Sequence, residues 1–547
     1  MHRARSANHQ RLSHTTKPPT ECLKGSHLAD RLPKTAVALL LLLTVARGVI
    51  YAVVIPPWQA PDEPSHFAYV QFLRQNHCLP SFQRIPASDG ILTSMSRYGF
   101  WRLRSHLLGP TDPTEDRELR VASKHPPLYY LLATVLLTPL RSADIICQLC
   151  VLRLASVAMG ALTVLLAYQT AKMLFSDNPW LPLAVASFIA LLPMHTFMSA
   201  SVNNDSLAEL LASGLIYLLI GILRGGVSPS KGVGVALLLG GAYLTKRTTL
   251  YAVPLAVLTV PIYFWARSIP VDHGPTSQDR PRILLSTARS VAHNLSCKRK
   301  PLTKVGLVVL GCVTCVVLLG VVISQQHRQE SSIGSGLESK PAQHPASTPL
   351  ADERVAQQPP CLRISLSAIS GYVRMSPTHL DTALLPMDRW PYPAGSYVVF
   401  GLLTFASFWA NFGWMNVPLD PAWYALLAVI SLFAFFGLLL RIVREISSSG
   451  EHTLLSCRWQ KGALAVLILA VGLIFVQTFG LMVIQNIPQQ GRYLLPAIVP
   501  LSTLFILGLS EFVPTRYRHG LPLICVLSLF LFDALCLVGY ILPHFYG

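Results

Sequence analysis

The sequence predicts an all-α polytopic membrane protein, and three observations carry that expectation. Of 547 residues, 52% are hydrophobic and only 13% are charged, against about 25% charged in soluble domains. Runs of about 20 apolar residues, the length a bilayer demands of a helix, recur along the chain. The basic excess, 44 Lys and Arg against 26 Asp and Glu, falls between those runs. No basic-aromatic domain gathers it, so it orients spans and does not point to nucleic acid. A soluble enzyme, a disordered scaffold and a coiled coil are excluded on the same grounds.

Eleven spans are expected, at 35–55, 150–172, 180–200, 206–223, 232–247, 249–266, 305–324, 421–440, 462–485, 493–511 and 521–542. The first follows a basic leader, 1–34, with seven Lys and Arg and two acidic residues. Without a small-residue cleavage motif before Ile55, it reads as a retained anchor with a cytoplasmic N-terminus. Leu128–Leu140 is short for a span, and aromatics crowd the end of Tyr397–Trp414. Read as helices lying along the membrane surface, both leave the basic loops 267–304, 441–461 and 512–520 on the cytoplasmic side. The C-terminus then lies outside, as do two large segments, 56–149 and 325–395. The chain divides accordingly into the leader, an N-terminal membrane module (35–324), the partly flexible 325–395 loop and a C-terminal membrane module (396–547). Eleven cysteines are too few for a disulfide scaffold, and the C-x-x-C pairs Cys147/Cys150 and Cys312/Cys315 read as core cysteines.

The residues able to do chemistry fall on the outer side. After the first span comes Pro56-Pro57-Trp58-Gln59-Ala60-Pro61-Asp62-Glu63-Pro64-Ser65-His66. Adjacent carboxylates at a membrane surface must be solvated, paired or used; a general base and a helix N-cap are equally open readings of Asp62. His125-Pro126-Pro127 is a helix-start signal, and Arg153 in the second span has the option of snorkelling. Asp205, in Ser201-Val202-Asn203-Asn204-Asp205-Ser206, reads as a helix cap. Lys246 in Thr245-Lys246-Arg247-Thr248 and Arg492 in Gln489-Gln490-Gly491-Arg492-Tyr493 interrupt or open apolar runs and need an anion, water or headgroups. Carboxylates with cations at one interface suit a reaction with an anionic leaving group.

These motifs resemble the GT-C superfamily of integral-membrane glycosyltransferases, which includes protein O-mannosyltransferases and aminoarabinose transferases. The fuller set (PDEPSHFAYVQFL, HPPLYYLL, LRLASV, SVNNDSLA, YLTKRT, FWANFGW, GRYLLP) is closer to a related bacterial family of uncharacterised predicted membrane proteins. The resemblance implies a GT-C-like helix arrangement with interfacial helices in the outer loops. It also implies inverting transfer of a sugar from a polyprenyl-phosphate donor to an extracytoplasmic glycan, lipid or protein. By that resemblance Asp62 is the general base, supported by Glu63 and His66. Lys246, Arg153 and Arg492 hold the lipid phosphate, and His125, Asp205 and Tyr493 lie at the substrate. Two residues, Pro64 and Ser65, separate Glu63 from His66 where the mannosyltransferases have one, which puts the role of His66 in doubt. No cofactor is implied, and a divalent metal is compatible. The rival expectation is a lipid-sugar flippase or transporter, which places charges deep in broken, repeated helices.

Overall fold

The computed structural model describes residues 33–80, 85–100, 118–119, 125–267, 361–363, 394–447, 455, 457–485 and 490–547. It is an all-α polytopic membrane protein. Among the described residues eight helices are long and apolar enough to span, and a bent pair makes a ninth. The expected spans reappear as α1 (Pro33–Val54), α5 (Ile145–Leu174), the pair α6 (Trp180–Leu191) and α7 (Pro193–Ser199), and α8 (Asp205–Gly225). After them come α10 (Ala252–Arg267), α12 (Pro421–Ser447), α13 (Arg458–Gln485), α14 (Ile498–Leu509) and α15 (Leu521–Leu535). The run 232–247 forms α9 (Pro229–Tyr243), whose 15 residues fall short of a full span. The run 305–324 and the pair Cys312/Cys315 lie outside the described residues. Leu128–Leu140 and Tyr397–Trp409 are shorter apolar helices. The first begins as α4 (Leu128–Leu137) and the second lies within α11 (Ala394–Trp409). Between α1 and α4 stand α2 (Glu63–Asn76) and α3 (Asp89–Arg97).

Burial separates protein-facing from lipid-facing sides. Helix α6 is buried at eleven of its twelve positions, which makes it the centre of the bundle. On α1, Leu42 and Val53 are 66% and 72% exposed, tolerable where the solvent is hydrocarbon. The α6–α7 pair bends by 61° at Pro193, whose ring and missing N–H cannot continue a helix ladder. Helices α12 and α14 meet backbone to backbone at Gly437 and Gly508. A methyl group on either would overlap the other helix's carbonyl groups, the small-residue contact by which helices associate in lipid.

One ion pair ties the first span to the last. Arg47 Nε donates to Asp533 Oδ2 (2.8 Å), Arg47 also donates to the Ala190 carbonyl, and the Tyr51 hydroxyl donates to Asp533 Oδ1 (2.7 Å). All three side chains are buried. Removing one charge of such a pair strands the other, at a cost of about 3–5 kcal/mol. Arg47→Met should therefore lower the thermal unfolding temperature of detergent-purified protein sharply. Arg47→Met/Asp533→Leu should recover much of the loss. A double variant as unstable as the sum of the single ones would show that the pair is not coupled.

Candidate functional site

The acid loop is built on strain and a buried clasp. Trp58 and Asp62 have φ values of 73° and 61°, left-handed backbone that costs a non-glycine residue free energy unless its surroundings impose it. Glu63 imposes it. Its side chain is fully buried; Oε1 accepts from Arg153 Nε (2.8 Å) and the Val202 N–H (3.0 Å), and Oε2 accepts from Arg153 Nη2 (2.6 Å) and the Trp58 N–H (3.0 Å). The remaining Arg153 donors reach the carbonyls of Ala52 (2.8 Å), Ile55 (2.7 Å) and Pro56 (3.1 Å). From the far side, Trp414 Nε1 donates to the Trp58 carbonyl (3.1 Å). Glu63 and Arg153 are thus spent on each other and on backbone. The structure does not bring Arg153 to the other cations, and Glu63 has no free oxygen to offer a substrate.

Asp62 is placed differently. It occupies the N-cap position of α2, yet its side chain makes no cap bond. Instead, Oδ2 accepts from Arg492 Nη2 (2.7 Å). The helix-cap reading of this residue therefore does not describe the structure. Asp205 departs from its cap reading in the same way. The Asn203 Oδ1 takes the N–H groups of Asp205 (2.8 Å) and Ser206 (3.2 Å), which frees the Asp205 carboxylate to pair with Lys246.

Lys246 sits where the backbone breaks between α9 and α10. Asn204 Nδ2 donates to the Thr245 carbonyl (3.0 Å), and the Leu128 N–H donates to the Leu244 carbonyl (3.0 Å), so two neighbouring turns hold that break in place. Arg492 follows Gly491, whose N–H donates to Ser407 Oγ (2.7 Å). A side chain there would collide with the backbone of Phe408 and Thr404. Arg492 Nη1 lies 4.0 Å from Asp205 Oδ2, and Lys246 and Arg492 stand 5.7 Å and 5.5 Å from the Tyr493 ring centre. Asp62, Arg492, Asp205 and Lys246 thus form one chain of alternating charge over Tyr493. The Asp62 side chain is 20% exposed, whereas the other three are at most 7% exposed. Arg492 Nε is buried without a hydrogen-bond partner.

Beside Asp62 stands a ring stack. His66 stacks on His125 (ring centres 5.6 Å apart) and on Tyr130 (5.8 Å), and Tyr130 stacks on Tyr69 (3.9 Å). His66 Nδ1 and the Tyr130 hydroxyl are 2.7 Å apart. Burial lowers His66 to about 4 and holds His125 well below its ordinary value, so both rings are neutral at physiological pH. Burial works to raise the Asp62 carboxyl, but the nearby positive charge, Arg492 above all, outweighs it and holds the group below the ordinary carboxylate range. Among the described residues no group of three His, Cys, Asp or Glu side chains is arranged to hold a metal ion.

Seven of the nine residues singled out in the sequence therefore meet in one region: Asp62, His66, His125, Asp205, Lys246, Arg492 and Tyr493. Glu63 and Arg153 brace it from behind. Sequence reasoning missed Trp58, Tyr130, Asn203 and Trp414, each inside a quoted motif but without a charge or spacing to mark it. Cys147 and Cys150 are exposed and unbridged, against the core reading, because they lie on an outward side of the first two turns of α5.

No curated protein matches the chain. Among solved structures it is similar to the oligosaccharyltransferase of Archaeoglobus fulgidus. The apo form is 12% identical over 94% of this chain and 55% of that one, with a TM-score of 0.44. The complex with Zn and sulfate is 11% identical over 91% and 52%, with a TM-score of 0.44. The form tethered to an acceptor peptide containing the NVT sequon is 14% identical over 94% and 55%, with a TM-score of 0.41. The chain spans about half the length of these structures. Residues 103–344, which carry His125, Arg153, Asp205 and Lys246, match the family described as Predicted membrane protein (DUF2142).

Proposed function

We propose that this chain is an integral-membrane glycosyltransferase that moves a sugar from a polyprenyl-phosphate donor to an extracytoplasmic acceptor with inversion. The observation that carries the proposal is the convergence of Asp62, Asp205, Lys246 and Arg492 from four distant segments, with Asp62 alone partly open. Asp62 takes the proton of the acceptor hydroxyl or amine as it attacks the anomeric carbon. The bond from that carbon to the phosphate oxygen breaks, and Lys246 and Arg492 hold the departing phosphate. The buried, unpartnered Arg492 Nε supplies a donor for it. Phosphate binding draws Arg492 away from Asp62, which removes the largest of the charges that depress its basicity, against which burial works to raise it. Donor binding thereby arms the base.

The proposed orientation in the plasma (inner) membrane puts this site outside and the N-terminus in the cytoplasm. Two observations support it. The opposite helix ends carry Lys172, Arg224, Lys231, Arg267, Arg441, Arg444, Arg458 and Lys461, the cytoplasmic bias of membrane loops. Cys78, on the site's side, is disulfide-bonded, as befits an oxidising compartment. The second reading, a lipid-sugar flippase or transporter, draws on the bent α6–α7 span and on the buried His195–Glu209 contact (2.9 Å) beneath the site. Label passing from a polyprenyl-phosphate sugar to an acceptor on purified protein favours transfer. Scrambling of the donor across vesicles without transfer favours the alternative.

Three outcomes follow from the site. Asp62→Asn should cut turnover by about 10²-fold or more. Any fall in the unfolding temperature should come from the Arg492 charge left without Asp62, since asparagine tolerates the left-handed backbone and no cap is lost; folded protein with the large loss of turnover is the expected result. Near-normal turnover would remove Asp62 from the chemistry.

Lys246→Met and Arg492→Met should each weaken polyprenyl-phosphate binding, and the double variant should lose less than the sum because both cations share one ligand. Lowered stability with unchanged affinity would mean that their role ends with Asp205 and Asp62.

His66 and His125 bind fewer protons folded than unfolded. The stability their neutrality confers is complete above the ordinary histidine value of 6.5 and is lost as pH falls toward about 4. The unfolding temperature should decline across that window, and His66→Gln should flatten the decline.

A further inference from the structure

Behind the acid loop lies a cavity of about 770 Å³, within the roughly 300–1,000 Å³ range of ligand sites. The end of α1, the end of α3, the first turns of α5 and the C-terminal Phe545 and Tyr546 enclose it. Its walls are Val53, Ile55, Ile146 and Leu149, and its floor is Arg153, whose guanidinium is turned away to Glu63. At the mouth stands Arg97, exposed and paired with no carboxylate among the described residues. Tyr98 and Tyr546, 36% and 63% exposed, flank the opening as tyrosines flank headgroups in membrane proteins.

We infer that this cavity binds an anionic phospholipid from the same leaflet as the site, its headgroup phosphate on Arg97 and one acyl chain along Val53 and Ile146. Three features select this occupant. A lone exposed cation above apolar walls matches an amphiphile with one negative head. The cavity opens where α1 ends and α5 begins, at the end of the span Lys34–Val54, beside a Val53 side chain that is 72% exposed. The Glu63–Arg153 layer separates the cavity from Lys246 and Arg492, so the sugar donor's phosphate is already accommodated elsewhere. Pro56 and Pro57 line this cavity and also begin the acid loop, so the occupant supports the back of the strained turn that presents Asp62.

The protein carries its own reporter. Cys150 lines the cavity and is exposed, while Cys147, one turn earlier, is exposed outside it. The full-length protein, placed in nanodiscs of phosphatidylcholine with or without phosphatidylglycerol, is treated with a small thiosulfonate, and modification of each cysteine is read by peptide mass spectrometry. Phosphatidylglycerol should slow modification of Cys150 by about fivefold, the preference one surface cation gives an anionic lipid, and leave Cys147 unchanged. Arg97→Gln should abolish the difference and Arg97→Lys should retain it; both alter an exposed, unpaired side chain. Equal modification in the two bilayers, or a difference that survives Arg97→Gln, would overturn the proposal. So would protection by glycerol phosphate without acyl chains, which would mark a site for soluble anions.

Discussion

The Glu63–Arg153 clasp is the contact on which the rest of the site depends. It joins the end of α1, the strained loop, the start of α2, the body of α5 and the 201–205 turn through bonds to two side chains and five backbone groups. A pair this buried contributes little net stability, because desolvating both charges offsets most of their attraction. Breaking it, however, strands one charge at a cost of about 3–5 kcal/mol. What the clasp secures is geometry. Because Glu63 anchors the loop, its neighbour Asp62 can stay in a left-handed conformation with its carboxylate directed outward at Arg492.

The bilayer explains why such a site stands at one end of the bundle. Charges are expensive in hydrocarbon unless they meet partners or water, so Lys246 and Arg492 appear where α9, α10 and α14 begin or end and not in mid-span. Each cation then finds a carboxylate: Lys246 meets Asp205, and Arg492 meets Asp62. The same rule governs the deeper pair Arg47 and Asp533, where every charge has a partner and none is open. The two clusters differ in access. Asp62 is partly exposed, whereas Arg47 and Asp533 are sealed between α1 and α15.

Much of this was legible in the sequence, because apolar run length and the charges that end each run are local signals. They located nine of the eleven expected spans and the two shorter apolar helices, and they marked the seven side chains that converge. What was not legible depended on partners far away in the chain. Asp62 and Arg492 are separated by 430 positions, and no local pattern states that they touch. Asp62 and Glu63 are adjacent and chemically alike, and only the phase of α2 sends one outward and the other into the protein. Likewise, three neighbouring residues, Asn203, Asn204 and Asp205, all have side chains able to cap α8. That Asn203 does so, and thereby frees Asp205 for Lys246, is decided by the turn's three-dimensional path.

The proposed function also separates the roles of the two carboxylates, Asp62 and Asp205. Asp205 is only 2% exposed, pairs with Lys246 and lies 4.0 Å from Arg492, so it is enclosed by cations on both sides. A carboxylate so held neutralises charge and fixes where the cations point, and the proposed function leaves the proton transfer to Asp62. Asp62 touches a single cation, is open on one side and adjoins neutral rings, His66 among them, that bring no competing charge. On the proposed function, an anion that takes Arg492 in exchange leaves Asp62 partly desolvated and unpaired, which raises its basicity. The proposed division of labour therefore rests on burial and partner number, not on position in the motif.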